Sequence, residues 1–523
     1  MNKIEFIKEE KNNFGKARKK NRHLSYLSDH SIGLSNNTII DITGWNDLEM
    51  DKVFEYIDRT YSKTGEQYLY NLLHIRPSEN ESKILKQKVN YYANNFDNLL
   101  KNAFILKKYN RKAAYSLYNF LFAKQYFKMP KWTILLSLLA LVFGILSIIF
   151  KSLFIYFVFI GVINTVLHYY FKQKINTYHS YFINIKSFHN VYLNLIKFDN
   201  ESNVVSRTDK KNLQKIAKIC SYLNMNIDFA NELTSIVYYL FEIIKGLFLI
   251  DVILFNSTMR LINKYIYSLQ NVYNYIGQID TALSIVSLKK GTKGCEPVFT
   301  NSLSIKLKNA YHPLIEKCIP NNIECNLSNA IITGGNMSGK TTFLKTIGLN
   351  ILLSQTINYS FSEEIIIPKL NIISSIKISD SIEDSKSFFM NELLRAKTIL
   401  ETIKSSIEPY IVFIDEIFKG TNTKDRITLA SAFLRYLTKY DCLVICTTHD
   451  LKIIDFVKVK YATYYFGNSF NNGIISFDYK IHKGIQAKTN VFELVRSIDF
   501  PDEIIKDMFN LNKLLIKKAH NTQ

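Results

Sequence analysis

The string GGNMSGKT carries the most specific chemical pattern in the chain. Gly334 and Gly339 are separated by four residues and followed directly by Lys340 and Thr341. Glycines let a loop curl so that its N–H groups face phosphate oxygens at a helix start, while the lysine reaches the outer phosphates and the hydroxyl ligates Mg²⁺. An apolar run at residues 330–333 precedes the loop and a helical run follows it. The pattern predicts a nucleotide phosphate site; a chance glycine-rich turn is the alternative.

Two adjacent carboxylates follow a second apolar run. The string YIVFIDE ends in Asp415 and Glu416, so a buried strand delivers both side chains to its carboxyl end, where α/β sheets bind ligands. There Asp415 is expected to hold Mg²⁺, and Glu416 to orient or deprotonate an attacking water. A third run, CLVICTTHD, ends near His449, which is expected to sense the γ-phosphate. A strand-end histidine with a satisfied hydrogen bond is the alternative.

The chain changes character near residue 290. Between residues 41 and 288 the only prolines are Pro77 and Pro130, and so few helix breakers predict long helices. After Gly291, short β-rich runs alternate with helical stretches, which is typical of a parallel sheet covered by helices. We therefore expect a multidomain chain with a polar basic tail over residues 1–37, an all-α domain over 38–290 and an α/β domain over 291–523.

Residues 132–171 contain two apolar runs. Residues 132–150 have no charged side chain, and after Lys151 a second run extends to Phe171. Because about 20 apolar helical residues span the hydrocarbon core of a bilayer, these runs predict a transmembrane hairpin inserted in the all-α domain. Lysines beyond both ends favour a cell-membrane protein whose α/β domain and two termini are cytoplasmic. A helical pair buried in a large all-α core is the alternative.

A third apolar region covers residues 236–254. It contains Glu242, Lys245 and Asp251, each of which is costly at the centre of a bilayer. We therefore interpret this region as a helix of the protein core. In the second apolar run, Asn164 is expected to make a contact inside the hairpin or at a dimer seam.

The charge and the cysteine content limit which binding partners and which cellular compartment are expected. The chain has 66 Lys and Arg against 45 Asp and Glu, a formal net charge of +21, which favours polyanionic partners such as nucleic acid or an anionic lipid surface. A genome-wide composition bias is the alternative. The six cysteines include no CxxC pair, and the N-terminus has no apolar signal-peptide region. These features favour the cytosol for the parts outside the hairpin.

The motif strings resemble, in order and spacing, the ATPase domain of the MutS family of DNA mismatch-repair proteins. The resemblance spans about residues 297–505, and its most specific parts are the pair Asn336 and Met337 and the loop at residues 420–423. Residues 47–73 are similar to the start of the family's helical core and lever domain. The matching strings are TGGNMSGKTTFLKTIGLN, SFFMNELLRAKTIL, FIDEIFKGTNTKDR and CTTHD.

The resemblance implies a P-loop ATPase domain of the ABC type that uses ATP and Mg²⁺ and works as a homodimer. It assigns catalysis to Glu416, His449 and Lys340, and Mg²⁺ to Thr341 and Asp415. Gly335 stands where the family usually has proline. The residues implied to contact the nucleotide are Gly334, Gly335, Asn336, Met337, Ser338, Gly339, Lys340, Thr341, Thr342 and, across the dimer, Ser387.

About 40 residues precede the region that resembles the helical core, too few for the family's mismatch-reading domain. The resemblance therefore implies a membrane-tethered branch of the family that holds DNA as a dimeric clamp, in mismatch repair or related repair or recombination. Such a clamp binds phosphates with little base specificity. The alternative is a membrane-anchored ATPase that acts on a protein or lipid partner without nucleic acid. A transporter is less favoured, because the chain lacks the LSGGQ string.

Overall fold

The computed structural model describes most of the chain and divides it into two compact units. The helical unit comprises Met1–Ile32, Asp58–Asn71 and Leu85–Leu288, and the sheet unit comprises Gly33–Ile57, Leu72–Ile84 and Lys289–Gln523. The residues described are 2–18, 20, 27, 38–109, 114–122, 130–197, 206–223, 232–326, 329–335, 337–377, 388–471, 474–485, 495 and 500–520.

Long helices dominate the chain before residue 292, as the scarcity of proline predicts. The longest has 43 residues, about 64 Å of α-helix at 1.5 Å per residue. The helices are α1 (Lys3–Asn13), α2 (Ile42–Asp47), α3 (Met50–Ile57), α4 (Lys63–His74), α5 (Glu79–Asn94), α6 (Phe96–Tyr109), α7 (Ala114–Phe122), α8 (Trp132–Ile149), α9 (Phe154–Ile196), α10 (Arg207–Leu223), α11 (Glu232–Leu247), α12 (Ile250–Lys264) and α13 (Ile266–Gly291).

Strands and helices alternate in the later part of the chain, and this confirms the predicted α/β sheet domain. Its strands are β1 (Val298–Phe299), β2 (Ser304–Ala310), β3 (Asn321–Asn326), β4 (Asn329–Gly334), β5 (Glu364–Ile367), β6 (Asn371–Ser375), β7 (Tyr410–Ile414), β8 (Cys442–Thr447), β9 (Tyr461–Asn471) and β10 (Ile474–Lys483). Its helices are α14 (Lys340–Ile357), α15 (Phe388–Ser405), α16 (Thr423–Leu437), α17 (Leu451–Val457) and α18 (Asp502–His520).

A six-stranded sheet in the order β10-β9-β4-β8-β7-β6 positions the motif residues. β4 pairs in parallel with both β8 and β9, and β7 pairs in parallel with both β6 and β8. β10 joins the edge antiparallel to β9. Every residue of β8 is buried, which explains its unbroken apolar sequence. Because these parallel strands end at the same edge, the residues after β4, β7 and β8 are brought together.

A smaller sheet in the order β1-β5-β2-β3 accompanies the main sheet. The pairs that β2 makes with β3 and β5 are antiparallel. The sequence pattern did not predict this sheet.

In the part of the chain that the structure describes, two helices are long and apolar enough to span a membrane. They are Trp132–Ile149 and Lys151–Ile196, the second including a short 3₁₀ turn before α9, and only 17% of the most apolar window of each is buried. Their large exposed side chains include Leu135, Phe159 and Val166. Most of each apolar window is therefore not packed inside the helical unit.

The predicted polar basic tail over residues 1–37 is a packed helix in its described N-terminal part. Residues 3–13 form α1, and Phe6 is fully buried. Arg18 forms an ion pair with Glu10, and its guanidinium lies 3.7 Å from the centre of the Tyr61 ring. The buried Phe6 and the contact of Arg18 with the Tyr61 ring attach the segment to the rest of the helical unit.

The predicted boundary between the domains differs from the observed grouping at residues 33–57 and 72–84, which belong to the sheet unit. Asp47, at the end of α2, accepts hydrogen bonds from Ser374 Oγ at 2.6 Å and from the backbone N of Ile376 and of Lys377, each at 2.9 Å. A buried carboxylate bound by three donors in this way fixes α2 to the end of β6. The local sequence pattern does not reveal hydrogen bonds between residues so far apart in the chain.

Residues 236–254 do not form the core helix that the sequence predicts. The region is broken between α11 and α12 at Leu249, which has a left-handed backbone with φ of 47°. One face of α11 carries apolar side chains that are 46–66% exposed. These side chains are Tyr239, Leu240, Phe241, Ile243 and Ile244.

Candidate nucleotide site

The loop between β4 and α14 forms a tight cradle that two glycines make possible. Gly334 has φ of 139° and Gly339 has φ of 104°, conformations that side chains rarely adopt. A Cβ added to Gly334 would lie 2.9 Å from the carbonyl oxygen of Phe466. Gly339 is the N-cap of α14, so the loop leads directly into the N-terminus of an 18-residue helix, where anions are stabilised.

Ser338 provides an observation that points to a ligand in this cradle. Its side chain is buried, and among the side chains that the structure describes its Oγ is one of those without a hydrogen-bond partner. A buried hydroxyl without a partner is costly. A phosphate oxygen in the loop would provide that partner, so the residues present fit the predicted nucleotide.

Lys340 lies inside the loop with 5% of its surface exposed. Its Nζ donates hydrogen bonds to the carbonyl oxygens of Gly334 at 3.0 Å and Gly335 at 2.8 Å. Burial lowers the pKa of Lys340, and the negative charges of Asp415 and Glu416 partly oppose that shift. The ammonium group is therefore held where the outer phosphates of a nucleotide are expected.

The two predicted Mg²⁺ ligands are in direct contact. Thr341 Oγ1 donates a hydrogen bond to Asp415 Oδ2 at 2.6 Å, although the residues are 74 positions apart. The other carboxylate oxygen of Asp415 accepts a hydrogen bond from Thr447 Oγ1. Hydroxyl and carboxylate oxygens are the ligands that Mg²⁺ prefers.

Glu416 and His449 form the second contact of the site. Glu416 Oε1 lies 3.0 Å from His449 Nε2, and its Oε2 lies 3.5 Å from Lys419 Nζ. Burial acts to raise the pKa of Glu416, but the hydrogen bond from His449 and the charge of Lys419 outweigh it and lower the pKa below its usual value. The side chain is therefore an ionised carboxylate at neutral pH, as a base that activates water requires.

Thr447 connects the carboxylate of Asp415 to the backbone of Glu416, a function that sequence reasoning did not assign. Its Oγ1 accepts a hydrogen bond from the backbone N of Glu416 at 2.9 Å and donates to Asp415. One hydroxyl at the end of β8 thus fixes the position of both acidic residues at the end of β7. The only sequence signal was its place in the CTTHD string.

Glu392, from α15, supports the loop that follows the carboxylates and was also not assigned a role from the sequence. The side chain is buried, and its two oxygens accept hydrogen bonds from the backbone N of Lys419 at 3.1 Å and of Gly420 at 3.0 Å. Burial raises the pKa of Glu392, and these donors partly oppose the shift. Glu416 and Phe418 have left-handed φ angles of 50° and 54°. Such strained residues persist only where surrounding contacts hold them.

A cavity of about 430 Å³ adjoins the glycine loop, a size typical of small-molecule sites. Tyr479 lines it from a bulge in β10, although the sequence showed no aromatic side chain for a nucleotide base near residues 321–323. Asn321 holds the bulge, because its Nδ2 donates to the carbonyl of Tyr479 at 2.9 Å and its Oδ1 accepts from the backbone N of Ile481 at 2.8 Å. The aromatic ring was missed because it lies 158 positions from Asn321.

The structure brings together most of the residues that the sequence assigned to the site. Met337, Ser338, Gly339, Lys340, Thr341, Thr342 and Glu416 line the cavity. Asp415 and His449 reach it through contacts with Thr341 and Glu416. Asn336 and Ser387 lie outside the described residues, so their assignments stay predictions.

Comparison with known proteins identifies the relatives of this region. Residues 330–515 match the family model described as MutS domain V. The endonuclease MutS2 of Lactobacillus helveticus is 32% identical over 254 residues, which are 47% of this chain and 32% of that protein. The endonuclease MutS2 of Staphylococcus carnosus is 29% identical over 249 residues, which are 45% of this chain and 31% of that protein. The chain thus spans about a third of the length of these relatives.

Proposed function

Because this chain belongs to the MutS family through its domain V, we propose that it binds and hydrolyses ATP and holds DNA as a membrane-tethered homodimer. The process is mismatch repair or a related repair or recombination pathway. The observation that carries the nucleotide chemistry is the 2.6 Å hydrogen bond between Thr341 and Asp415. It joins the end of the glycine loop to the carboxylate strand, as a shared Mg²⁺ site requires.

The residues of the site have separate roles in this proposal. The loop amides and Lys340 bind the phosphates, and Thr341 and Asp415 hold Mg²⁺, which when bound neutralises charge on the β- and γ-phosphates. Glu416 accepts a proton from the attacking water, and His449 keeps the carboxylate oriented through the 3.0 Å contact. Asn336 and His449 would sense the γ-phosphate, and Ser387 would contact it across the dimer.

Glu392 is a positioning residue in this proposal, and its removal is a test of that role. Glu392→Ala leaves the N–H groups of Lys419 and Gly420 without acceptors, so the loop that carries Glu416 loses its support. We expect a fall in kcat of about 10- to 100-fold, as for other residues that support catalytic groups. The KM for ATP should change little, because Glu392 does not line the cavity.

Steady-state ATPase kinetics check this expectation. Glu401→Ala is the matched control, because Glu401 lies on the same helix with an exposed side chain. Partial rescue by Glu392→Gln, which keeps one acceptor oxygen, would separate loop support from general loss of folding. An unchanged kcat for Glu392→Ala would contradict the role.

A basic cavity in the helical unit supports DNA as the partner. Its volume is about 860 Å³, and five lysines from four helices line it without an acidic side chain among its lining residues. The relatives are named endonucleases, which also supports a nucleic acid. Lysines that line one cavity supply the positive charge that contacts with phosphate groups require. The lysines are Lys3, Lys101, Lys108, Lys197 and Lys210.

The salt dependence of DNA binding tests this cavity. Each phosphate contact contributes about 0.9 to the slope of log affinity against log salt concentration. Changing Lys108, Lys197 and Lys210 together to glutamine should therefore reduce that slope by about two to three. The matched control changes three exposed lysines of the sheet unit, Lys397, Lys452 and Lys458, to glutamine. Equal slopes for both triple variants would exclude the cavity as a phosphate site.

Membrane attachment through residues 132–171 is supported by the low burial of both apolar helices. The proposed location is the cell membrane, with the sheet unit and both termini in the cytoplasm. These exposed apolar helices also favour the second candidate function, a membrane ATPase that acts on a protein or lipid partner without nucleic acid. Both candidates require the same nucleotide site.

The ATPase rate of the purified protein, measured with homoduplex, mismatched and branched DNA across a salt titration, separates the two candidates. A rate that responds to DNA and loses the response as salt rises supports the tethered DNA clamp. A rate that no DNA alters, in protein that still dimerises with ATP, supports the membrane ATPase instead.

A further inference from the structure

The break between α11 and α12 is bonded to both apolar helices. Ser137, on α8, donates its hydroxyl to the carbonyl oxygen of Phe248 at 2.7 Å. Asn164, on α9, donates its amide to the carbonyl oxygen of Leu247 at 2.8 Å and to that of Leu136 at 3.3 Å. The backbone carbonyls that a helix break leaves without partners are therefore satisfied from the candidate membrane helices.

Small residues bring the break close to α9. A Cβ added to Gly161 would lie 2.7 Å from a methyl carbon of Leu247, and one added to Gly246 would lie 3.5 Å from Thr165 Oγ1. Glycines that allow backbones to approach, together with hydroxyl and amide hydrogen bonds, are the usual means of packing helices in a membrane. The break is thus docked over one turn of α9.

The charged residues of this region form one cluster at the end of the second apolar run. Glu242 is paired with Lys172 and with Lys245, and Lys245 lies 3.9 Å from Asp251. Lys172 directly follows the apolar run, and Asn164 lies eight residues before it, about 12 Å along the helix. The break therefore lies deeper along α9 than Lys172, by a distance that remains within one half of a bilayer's hydrocarbon core. Lys245 and Asp251 lie within four residues of the break and pair with each other.

Exposed aromatic side chains lie close to this charge cluster along the helices. Trp132, Tyr169, Tyr170, Tyr239 and Phe241 are all more than 45% exposed. Aromatic residues are enriched where a membrane meets water. The exposed residues Ile243 and Ile244 follow Glu242 toward the break.

We propose that α11 and α12 form a re-entrant membrane hairpin whose break enters the acyl-chain region beside α8 and α9 and returns to the same side. The inference rests on the proposed membrane tether and adds a third membrane element to it. Irregular backbone is tolerated at membrane depth only where other protein groups form hydrogen bonds with its free N–H and C=O groups. Ser137 and Asn164 donate such hydrogen bonds here. Lys172 and Glu242 pair at the interface. The ion pairs of Lys245 with Glu242 and Asp251 offset the cost of the charges nearer the break.

Quenching of tryptophan fluorescence by lipids brominated on their acyl chains tests the hairpin in reconstituted vesicles. The full chain carries Trp132→Phe, while Trp45 is kept as a buried, constant background. Single tryptophans are then placed by Ile244→Trp, Val158→Trp and Ile407→Trp. Val158 reports the apolar helix α9, and the fully exposed Ile407 of the sheet unit is the aqueous control.

We expect brominated lipid to quench the tryptophans at 244 and 158 to a similar extent and to leave that at 407 unquenched. Quenching at 158 but not at 244 would overturn the re-entrant hairpin and leave the tether standing. No quenching at either position would refute the tether, and the hairpin with it. Protection of position 244 from both brominated lipid and aqueous iodide would assign the face to a second copy of the chain and also overturn the hairpin.

The hydrogen bonds to the break give a second test. Combining Ser137→Ala with Asn164→Leu removes the donors to Phe248 and Leu247, so the break should leave the acyl-chain region. We expect loss of lipid quenching at position 244 and no change at position 158. Ser147→Ala is the matched control, because the Ser147 hydroxyl donates only within its own helix, to the carbonyl of Gly144 at 2.7 Å. Full quenching at 244 in the double variant would exclude these bonds as the anchor.

Discussion

Replacing Glu416 with glutamine will reduce ATP turnover by about two to four orders of magnitude, the usual contribution of a general base. Glutamine keeps the size of the side chain but cannot accept the proton of the attacking water. Glutamine is compatible with the hydrogen bond that the backbone N of residue 416 donates to Thr447 Oγ1, because that bond uses the main chain. The loop should therefore keep its shape, and ATP should still bind.

Single-turnover hydrolysis and equilibrium ATP binding, measured on the same preparation, check this prediction. The Glu416→Gln protein should accumulate as an ATP-bound dimer, which light scattering detects. Glu363→Gln is the control, because Glu363 is an exposed glutamate of the sheet unit paired with Lys308 at 3.7 Å. Rapid turnover by Glu416→Gln would exclude Glu416 as the base.

The acid side of the pH profile follows from the same contacts. The pKa of Glu416 lies below its ordinary value of about 4.3, because His449 and Lys419 stabilise the carboxylate against the opposing effect of burial. A base with a lowered pKa stays deprotonated as the pH falls and loses activity only below that pKa. Protonation of Glu416 should therefore cost no rate between neutral pH and about pH 5.

Local sequence patterns were sufficient to predict the glycine loop and the strands beside it. The run at residues 330–333 lies within β4, and the runs ahead of Asp415 and His449 correspond to β7 and β8. In each case an unbroken apolar strand meets polar residues at its end, so both the strand and its functional end are encoded within a few positions. The parallel pairing then requires these ends to lie together.

Residues that act through distant partners could not be predicted in this way. Glu392 supports a loop 27 and 28 positions away, and Thr447 reaches back to Asp415 across 32 positions. Tyr479 enters the cavity only because β10 bulges where Asn321 holds it. No short pattern records such contacts, because each depends on how the sheet brings separate segments together.

The charges within residues 236–254 also depend on distant partners. From the sequence alone, Glu242, Lys245 and Asp251 are isolated charges, each costly in a membrane. In the structure they form ion pairs with one another and with Lys172. Burial cost depends on the partners of a charge as well as on its position, and Lys172 is 70 positions from Glu242.

Replacing Lys340 with alanine will weaken ATP binding by roughly two to four orders of magnitude. A charge-assisted hydrogen bond to phosphate contributes about 1.5–3 kcal/mol, and the range corresponds to the loss of two such bonds. In the structure the ammonium group contacts the carbonyls of Gly334 and Gly335, so it is already inside the loop where the phosphates are expected. Alanine leaves this buried position without a positive charge.

Equilibrium binding of a fluorescent ATP analogue measures the loss, and thermal unfolding with and without ATP separates it from misfolding. A ligand that binds only the folded state raises the unfolding temperature, so ATP should stabilise the parent protein and Lys452→Ala, an exposed lysine control on α17. Lys340→Ala should unfold cooperatively without ATP and gain nothing from it. Near-normal ATP affinity in a folded Lys340→Ala protein would mean that the phosphates do not bind where Lys340 lies.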